Sequence, residues 1–248
     1  MLNSEVLYER LTPSEFKTRL QKAPIAYLPL GTLEWHGAHL PLGSDFLQSG
    51  GFFKKLAQRV GGVVLPPLFL GPDKAGEVDG HEYYGMDWFG YAPNPPKQLI
   101  GSAYWVPNEL FSAIIEAILK QLRRVGFKIV VAHGHGPSID YFYKNGEELS
   151  RKFDLAIFTL LRPEDEREED MEFQNDHAAM NETSIMMALH PDLVHMENLP
   201  RDPNEWPLAV GGKDPRKYAS PELGDKIIRY NLEKMEMILK DRLLSLHA

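Results

Sequence analysis

The stretch IAYLPLGTLEWHGAHLPLGSD, residues 25–45, decides how this chain is read. Its first six residues form a compact apolar run closed by Gly31, the pattern of a strand buried on both faces. Polar residues follow at once. Glu34 and His36 stand two apart, so an extended backbone points both side chains to one side. Gly37 and Gly43 let the backbone turn, and Pro41 stiffens the return path. Asp45 then falls at the start of a helix expected over 45–60, where the helix dipole favours a negative charge. A carboxylate, an imidazole and a second carboxylate at a strand end suit a divalent cation. Taken singly, Asp45 also reads as a helix cap and His36 as a loop histidine; the case for a metal rests on the set.

Working outward, Thr12-Pro13-Ser14-Glu15 starts a helix that runs to 22. Gly61-Gly62 ends the helix after Asp45, and a strand follows over 63–65. Helices are expected over 108–125, with Asn108 as its cap, 139–153, 182–189 and 226–246; strands are expected over 127–132 and 155–161. The charge run 162–170 reads as a solvated loop. Strands that alternate with helices give an α/β protein, with a mostly parallel sheet between helical layers. Ligands bind such sheets beyond the carboxyl ends of the strands. All 248 residues read as one domain, with an irregular insertion at about 71–106 that is rich in Gly, Pro and aromatics. Loops of that length are functional or make oligomer contacts. Most of its aromatics, Tyr83, Tyr84, Phe89, Tyr91, Tyr104 and Trp105 among them, are read as subunit contacts, and Trp88 as a residue of the substrate pocket.

Two further polar clusters lie downstream. His133-Gly134-His135-Gly136-Pro137-Ser138 follows the strand expected over 127–132. Its small residues leave room for a metal or substrate beside His135, although a glycine turn with satisfied histidines has the same pattern. In Asn175-Asp176-His177-Ala178-Ala179-Met180-Asn181-Glu182, His177 and Glu182 are five apart across a loop-to-helix junction. Glu182 reads equally well there as a helix cap.

Composition narrows the chemistry. The chain has no cysteine, which excludes disulfides, thiolate zinc sites and a cysteine nucleophile, so any metal is held by His, Asp and Glu. A net charge of −8 argues against nucleic acid as a partner. No apolar run reaches the roughly 18 residues of a membrane span. Met1-Leu2-Asn3-Ser4-Glu5 lacks the features of a signal peptide, so cytoplasmic residence is the expectation.

The three clusters together resemble the creatininase family. Residues 28–45 are similar to its opening motif, Gly-x-x-Glu-x-His-Gly-x-His-Leu-Pro before an Asp. Gly134-His135-Gly136 resembles its central Asn-Gly-His-Gly-Gly-Asn motif, and His177-Ala178 with Glu182-Thr183-Ser184 its His-Ala-Gly…Glu-Thr-Ser motif. The resemblance implies a three-layer α/β/α sandwich and a homo-oligomer, often a hexamer. It implies two divalent metal ions, Zn, Mn or Fe(II), held by Glu34, His36, Asp45, His135 and Glu182, with Asp45 bridging. It assigns catalysis to His177 and Glu182, His177 being the proton donor to the leaving nitrogen. Trp88, His133 and Ser138 are the candidate substrate-binding residues. The chain departs from the pattern in the second motif: His133 replaces Asn, and Pro137 and Ser138 replace Gly and Asn. Creatininase itself has a metal-binding Glu at the position of Pro137, so the resemblance favours a small amide, cyclic amide or formamide over creatinine. Two bridged cations make water a nucleophile near neutral pH, which gives an amidohydrolase. Two alternatives share the fold or the ligands. One is a non-catalytic oligomer that binds a metal or small ligand. The other is a two-metal phosphoesterase, which calls for basic residues near the site, with Lys74 or Lys213 reaching in.

Overall fold

In a computed structural model, residues 5–90, 94–160 and 171–246 are described. In chain order the elements are α1 (Pro13–Lys22), β1 (Ile25–Leu30), α2 (Ser44–Val60), β2 (Val63–Val64), β3 (Ala75–Val78), β4 (His81–Tyr84), α3 (Met86–Phe89), α4 (Asn108–Val125), β5 (Ile129–Gly134), α5 (Gly136–Phe153), β6 (Ala156–Phe158), α6 (Met180–Leu189), α7 (Pro215–Tyr218) and α8 (Pro221–Ser245). β2, β1, β5 and β6 form a parallel sheet in that order.

Side-chain alternation sorts the sheet between two cores. Ile25, Tyr27, Ile129 and Val131 face one layer and pack with Phe52 and Phe53 of α2, Ile185 of α6 and Ile227 of α8. Ala26, Leu28, Val130 and Ala132 face the other, against Phe111, Ile115 and Leu119 of α4 and Ile139 and Phe142 of α5. Every residue of β1 and β5 is therefore buried, which accounts for their unbroken apolar runs. This is the expected α/β/α sandwich.

Chain order and space diverge between β1 and β5. From β1 the chain leaves through α2 on one face towards β2, and from β5 it leaves through α5 on the other face towards β6. The carboxyl ends of β1 and β5 thus flank a topological switch point, where open α/β sheets place their ligands. Leu30 pairs with Gly134 there. A Cβ on Gly134 would stand 1.8 Å from the Leu30 carbonyl oxygen, at a φ of +141° that side chains avoid.

Local chemistry moved several boundaries. β5 starts at Ile129 because the amides of Lys128 and Ile129 both bond the Pro24 carbonyl, and it runs two residues into the second motif. α5 starts at Gly136, with Pro137 in its first turn where no amide hydrogen is missed. Asn108 is not the cap of α4; Pro107 holds that position and no side chain caps the helix. α8 starts five residues early, at Pro221, because the Ser220 hydroxyl accepts the Leu223 amide. The 71–106 insertion is more ordered than its composition suggests: β3 and β4 pair antiparallel and α3 follows. Tyr91 and the charge run 162–170 lie outside the described residues. No described helix is long and apolar enough to cross a membrane.

Gly134→Ala should destabilise the protein by about 2 kcal/mol or more through positive-φ strain and the clash with Leu30. Urea unfolding measures this, and an unchanged midpoint would contradict the close β1–β5 approach.

Candidate metal centre

The loop after β1 is fixed by the insertion. Leu33 and Ala103 exchange backbone hydrogen bonds, the Thr32 hydroxyl donates to the Ala103 carbonyl, and the Trp35 indole donates to the Ile100 carbonyl. Glu34 and His36 are thereby held inward, 4% and 0% exposed. Asp45 enters from the first turn of α2, His135 from the end of β5 and Glu182 from the first turn of α6.

His36 Nε2 stands 3.3 Å from Asp45 Oδ1 and 3.6 Å from Glu182 Oε2. His135 Nε2 stands 3.7 Å from Glu34 Oε1 and 3.4 Å from Asp73 Oδ2. One ligand atom from each of His36, Asp45 and Glu182 lies within 4.8 Å of the others, and the same holds for Glu34, Asp73 and His135. Two donors about 2.1 Å from a tetrahedral ion stand roughly 3.4 Å apart, so these spacings suit ligands to a shared cation. Asp45 Oδ2 is buried without a hydrogen-bond partner and His36 Nε2 has only its long pairs with two carboxylates, a costly state that a cation would relieve. Asp45 is therefore no mere helix cap. The capping of α6 falls to Asp176, whose carboxylate accepts the Asn181 and Glu182 amides. Glu182 accepts the Ala178 amide through Oε2 and lines the cavity.

Second contacts orient the rings. Ser138 Oγ pairs with His135 Nδ1 at 3.0 Å, turning Nε2 to the carboxylates. His177 Nε2–H donates to the Trp35 carbonyl at 2.8 Å, and the His177 ring stacks on His36 with centroids 4.4 Å apart. His39 pairs with Thr183 at 2.8 Å, and His133 Nε2–H donates to the Phe173 carbonyl at 3.3 Å. Both are buried, and among the described residues neither belongs to a donor group.

A cavity of about 170 Å³ opens on the centre. Its wall includes Glu34, Asp45, His135, His177 and Glu182, with Gln174 and Asp176 at one side and Met86 and Phe89 of α3 at another. Trp88, His133 and Ser138, the three residues expected to touch substrate, are not among the described residues that line this cavity. Trp88 packs over Gly76 and under the Lys74 ammonium, 4.6 Å from its ring centroid, and the neighbours Met86 and Phe89 face the cavity instead. Ser138 pairs with His135, and His133 bonds the Phe173 carbonyl through Nε2 while its Nδ1 is buried without a hydrogen-bond partner. Sequence reasoning missed Asp73, Asp176, Gln174, Met86 and Phe89. Asp176 had a signal, since it precedes His177 in the third cluster, and Phe89 stands out as an aromatic of the insertion but reads as a subunit contact; Asp73, Gln174 and Met86 had none.

Electrostatics follow from this packing. Burial disfavours charge on His36, but Asp45 and Glu182 outweigh it and raise its pKa to about 10. Burial likewise opposes charge on His135, yet Asp73 and Glu34 bring it up to about 9. Burial first, then neighbouring carboxylates, lifts Glu34 to about 7 and Glu182 to about 8, against the pull of His135 and His36 respectively. Burial and the charge of His36 drive His177 down to about 3.

The fold and donor sets define the class: an α/β/α metallohydrolase with its site at the switch point. The family described as Creatininase: Creatinine amidohydrolase matches residues 9–228. The chain is 28% identical to the creatinine amidohydrolase of Pseudomonas putida, over 96% of this chain and 94% of that protein. It is 23% identical to the 3-dehydro-scyllo-inosose hydrolase of Thermotoga maritima, over 77% of this chain and 58% of that one. Among solved structures, a variant creatininase of Zn-Zn type superposes with TM-score 0.71 at 21% identity, covering 96% of this chain and 98% of the other. A manganese creatininase superposes with TM-score 0.68 at 22% identity and the same coverage. The chain belongs to the creatininase family.

Four groups with raised pKa values make the metal-free centre bind more protons folded than unfolded: Glu34 and Glu182 between about pH 4.5 and about 7 and 8, and His36 and His135 between about pH 6.5 and about 10 and 9. His36 and His135 contribute fully below their ordinary value and lose that contribution as pH rises towards about 10 and 9 respectively; Glu34 and Glu182 lose theirs as pH rises towards about 7 and 8. Chelator-treated protein should therefore melt lower as pH rises across those ranges. Added cation should reverse the trend while releasing protons, as calorimetry in two buffers would show. A flat profile without metal would contradict this charge arrangement.

Proposed function

We propose that this protein is a metal-dependent amidohydrolase, cleaving a C–N bond of a small amide, cyclic amide or formamide. Two divalent cations, Zn, Mn or Fe(II), would be held by Glu34, His36, Asp45, His135 and Glu182, with Asp45 between them. The observation that carries this reading is the convergence of these buried donors from the loop after β1, from α2, from the end of β5 and from α6, four of them lining one small cavity and His36 beside Asp45 and Glu182, with Asp45 Oδ2 unpartnered. When bound, such a cation pair lowers the pKa of water and polarises an amide carbonyl.

The chain's own residues then handle protons and position. The bond from His177 Nε2–H to the Trp35 carbonyl leaves the lone pair on Nδ1. With the pKa of His177 pushed down to about 3, the ring begins neutral. His177 must therefore accept a proton from the attacking water before it passes one to the leaving nitrogen. Glu182, on the cavity wall beside it, holds its carboxylate in place through the Ala178 amide. Met86 and Phe89 supply apolar walls that limit water.

The cavity lining includes neither Lys nor Arg among the described residues. Lys74 instead lies over Trp88 and Phe89. This disfavours the phosphoesterase, which needs cations facing its substrate. Creatinine is not the substrate we assign, because Pro137 brings no polar side-chain atom to the place where creatininase itself has a Glu. We also assign a cytoplasmic homo-oligomer. The exposed Phe89, Ile100, Tyr104, Met237 and Leu244 support subunit contacts.

Turnover on a panel of formamides, cyclic amides and primary amides tests the reading. Chelation should abolish hydrolysis, and Zn or Mn should restore it. His177→Ala should lower kcat by about 10²- to 10⁴-fold with metal content unchanged. Hydrolysis that survives chelation would overturn the reading, and an unaltered kcat in His177→Ala would remove the proton-transfer role.

A further inference from the structure

Asp73 belongs to none of the sequence motifs, yet it reaches the centre. It lies just after Gly71, where the chain enters the insertion that carries β3, β4 and α3. Its Oδ1 accepts the Lys74 amide, and its Oδ2 stands 3.4 Å from His135 Nε2. That nitrogen also faces Glu34 Oε1 at 3.7 Å, while His135 Nδ1 is engaged by Ser138. The side chains of Asp73, Glu34 and His135 are 9%, 5% and 1% exposed, and carboxylates are almost never buried to that extent unless they are paired.

The backbone opposite keeps this space open. Gly85 has φ +49°, and a Cβ there would stand 2.5 Å from Asp73 Oδ2 and 3.4 Å from Glu34 Oε2. Gly85 is itself bonded to the Lys74 carbonyl, so the hairpin closes on Asp73 from both sides. Pro137, two residues past His135, offers no side-chain donor. A second carboxylate for His135 must come from another element, and Asp73 is placed to provide it.

We propose that Asp73 is a metal ligand, sharing one divalent cation with Glu34 and His135 and so tying the hairpin insertion to the carboxyl end of the sheet. The inference rests on the two-ion reading above. It makes the insertion part of the metal centre, so that the cavity walls Met86 and Phe89 are seated by the same ion that would act on substrate.

Titration of metal-stripped protein with Mn(II), followed by calorimetry and by elemental analysis after gel filtration, tests it without any substrate. Wild type should bind two ions per chain. Asp73→Asn keeps the shape and the acceptor for the Lys74 amide; it should retain one ion near wild-type affinity and bind the other about tenfold or more weakly. Gly85→Ala, which displaces the Asp73 carboxylate without removing it, should weaken the same ion. Matched melting temperatures of the metal-free proteins would show that both variants fold. Two ions at wild-type affinity in Asp73→Asn would overturn the inference alone. No ion bound by wild type would overturn the two-ion reading with it.

Discussion

Carboxylates buried side by side repel one another and lose their hydration, and that cost governs the rest of this structure. Glu34, Asp45 and Glu182 are each almost fully buried around one small cavity. An isolated buried carboxylate is costly by several kcal/mol and takes up a proton unless it is paired. Without metal, protons held by His36 and His135 answer part of that cost, which is why two buried imidazoles hold their charge. Divalent cations would answer it more completely, because each would face several donors at once and displace those protons.

The fold exists around that constraint. Two apolar strands, buried on both faces, provide a rigid floor, and the topology splits above them to leave a crevice. Asp45, His135 and Glu182 are delivered by a strand end or the first turn of a helix, where the backbone varies little, and Glu34 and His36 by a loop braced through backbone bonds to the insertion. Ring orientation is then set by Ser138, Trp35 and Thr183, none of which faces the cavity. The insertion contributes on both sides: it braces the loop after β1 through Ala103, Ser102 and Ile100, and it walls the cavity through α3.

Much of this was legible in the sequence. The runs 25–30 and 127–132 announced central strands because both faces are buried, and Glu34, His36, Asp45, His135, His177 and Glu182 stood out as polar residues just beyond apolar elements. These six do meet at one cavity or in its donor groups. The remainder depended on folding at a distance. Asp73 is a lone carboxylate in a stretch of Gly and Pro, and nothing local marks its approach to His135 across 62 residues. Trp88 looked like a pocket residue by type, yet in a one-turn helix a shift of one or two positions turns the side chain away, and Met86 and Phe89 took that place. The order within the insertion was hidden because its short hairpin lacks a long alternating pattern; its exposed and half-buried residues provide little apolar signal.

The central claim is that buried donors from four elements form one two-metal centre with Asp45 between the ions. Elemental analysis of untagged protein, wild type beside Asp45→Ala, addresses it most directly. The account predicts about two divalent ions per chain in wild type and loss of both in the variant, since Asp45 would serve each. Wild type without metal, even after incubation with Zn or Mn, would contradict the account, and so would a variant that keeps its full complement.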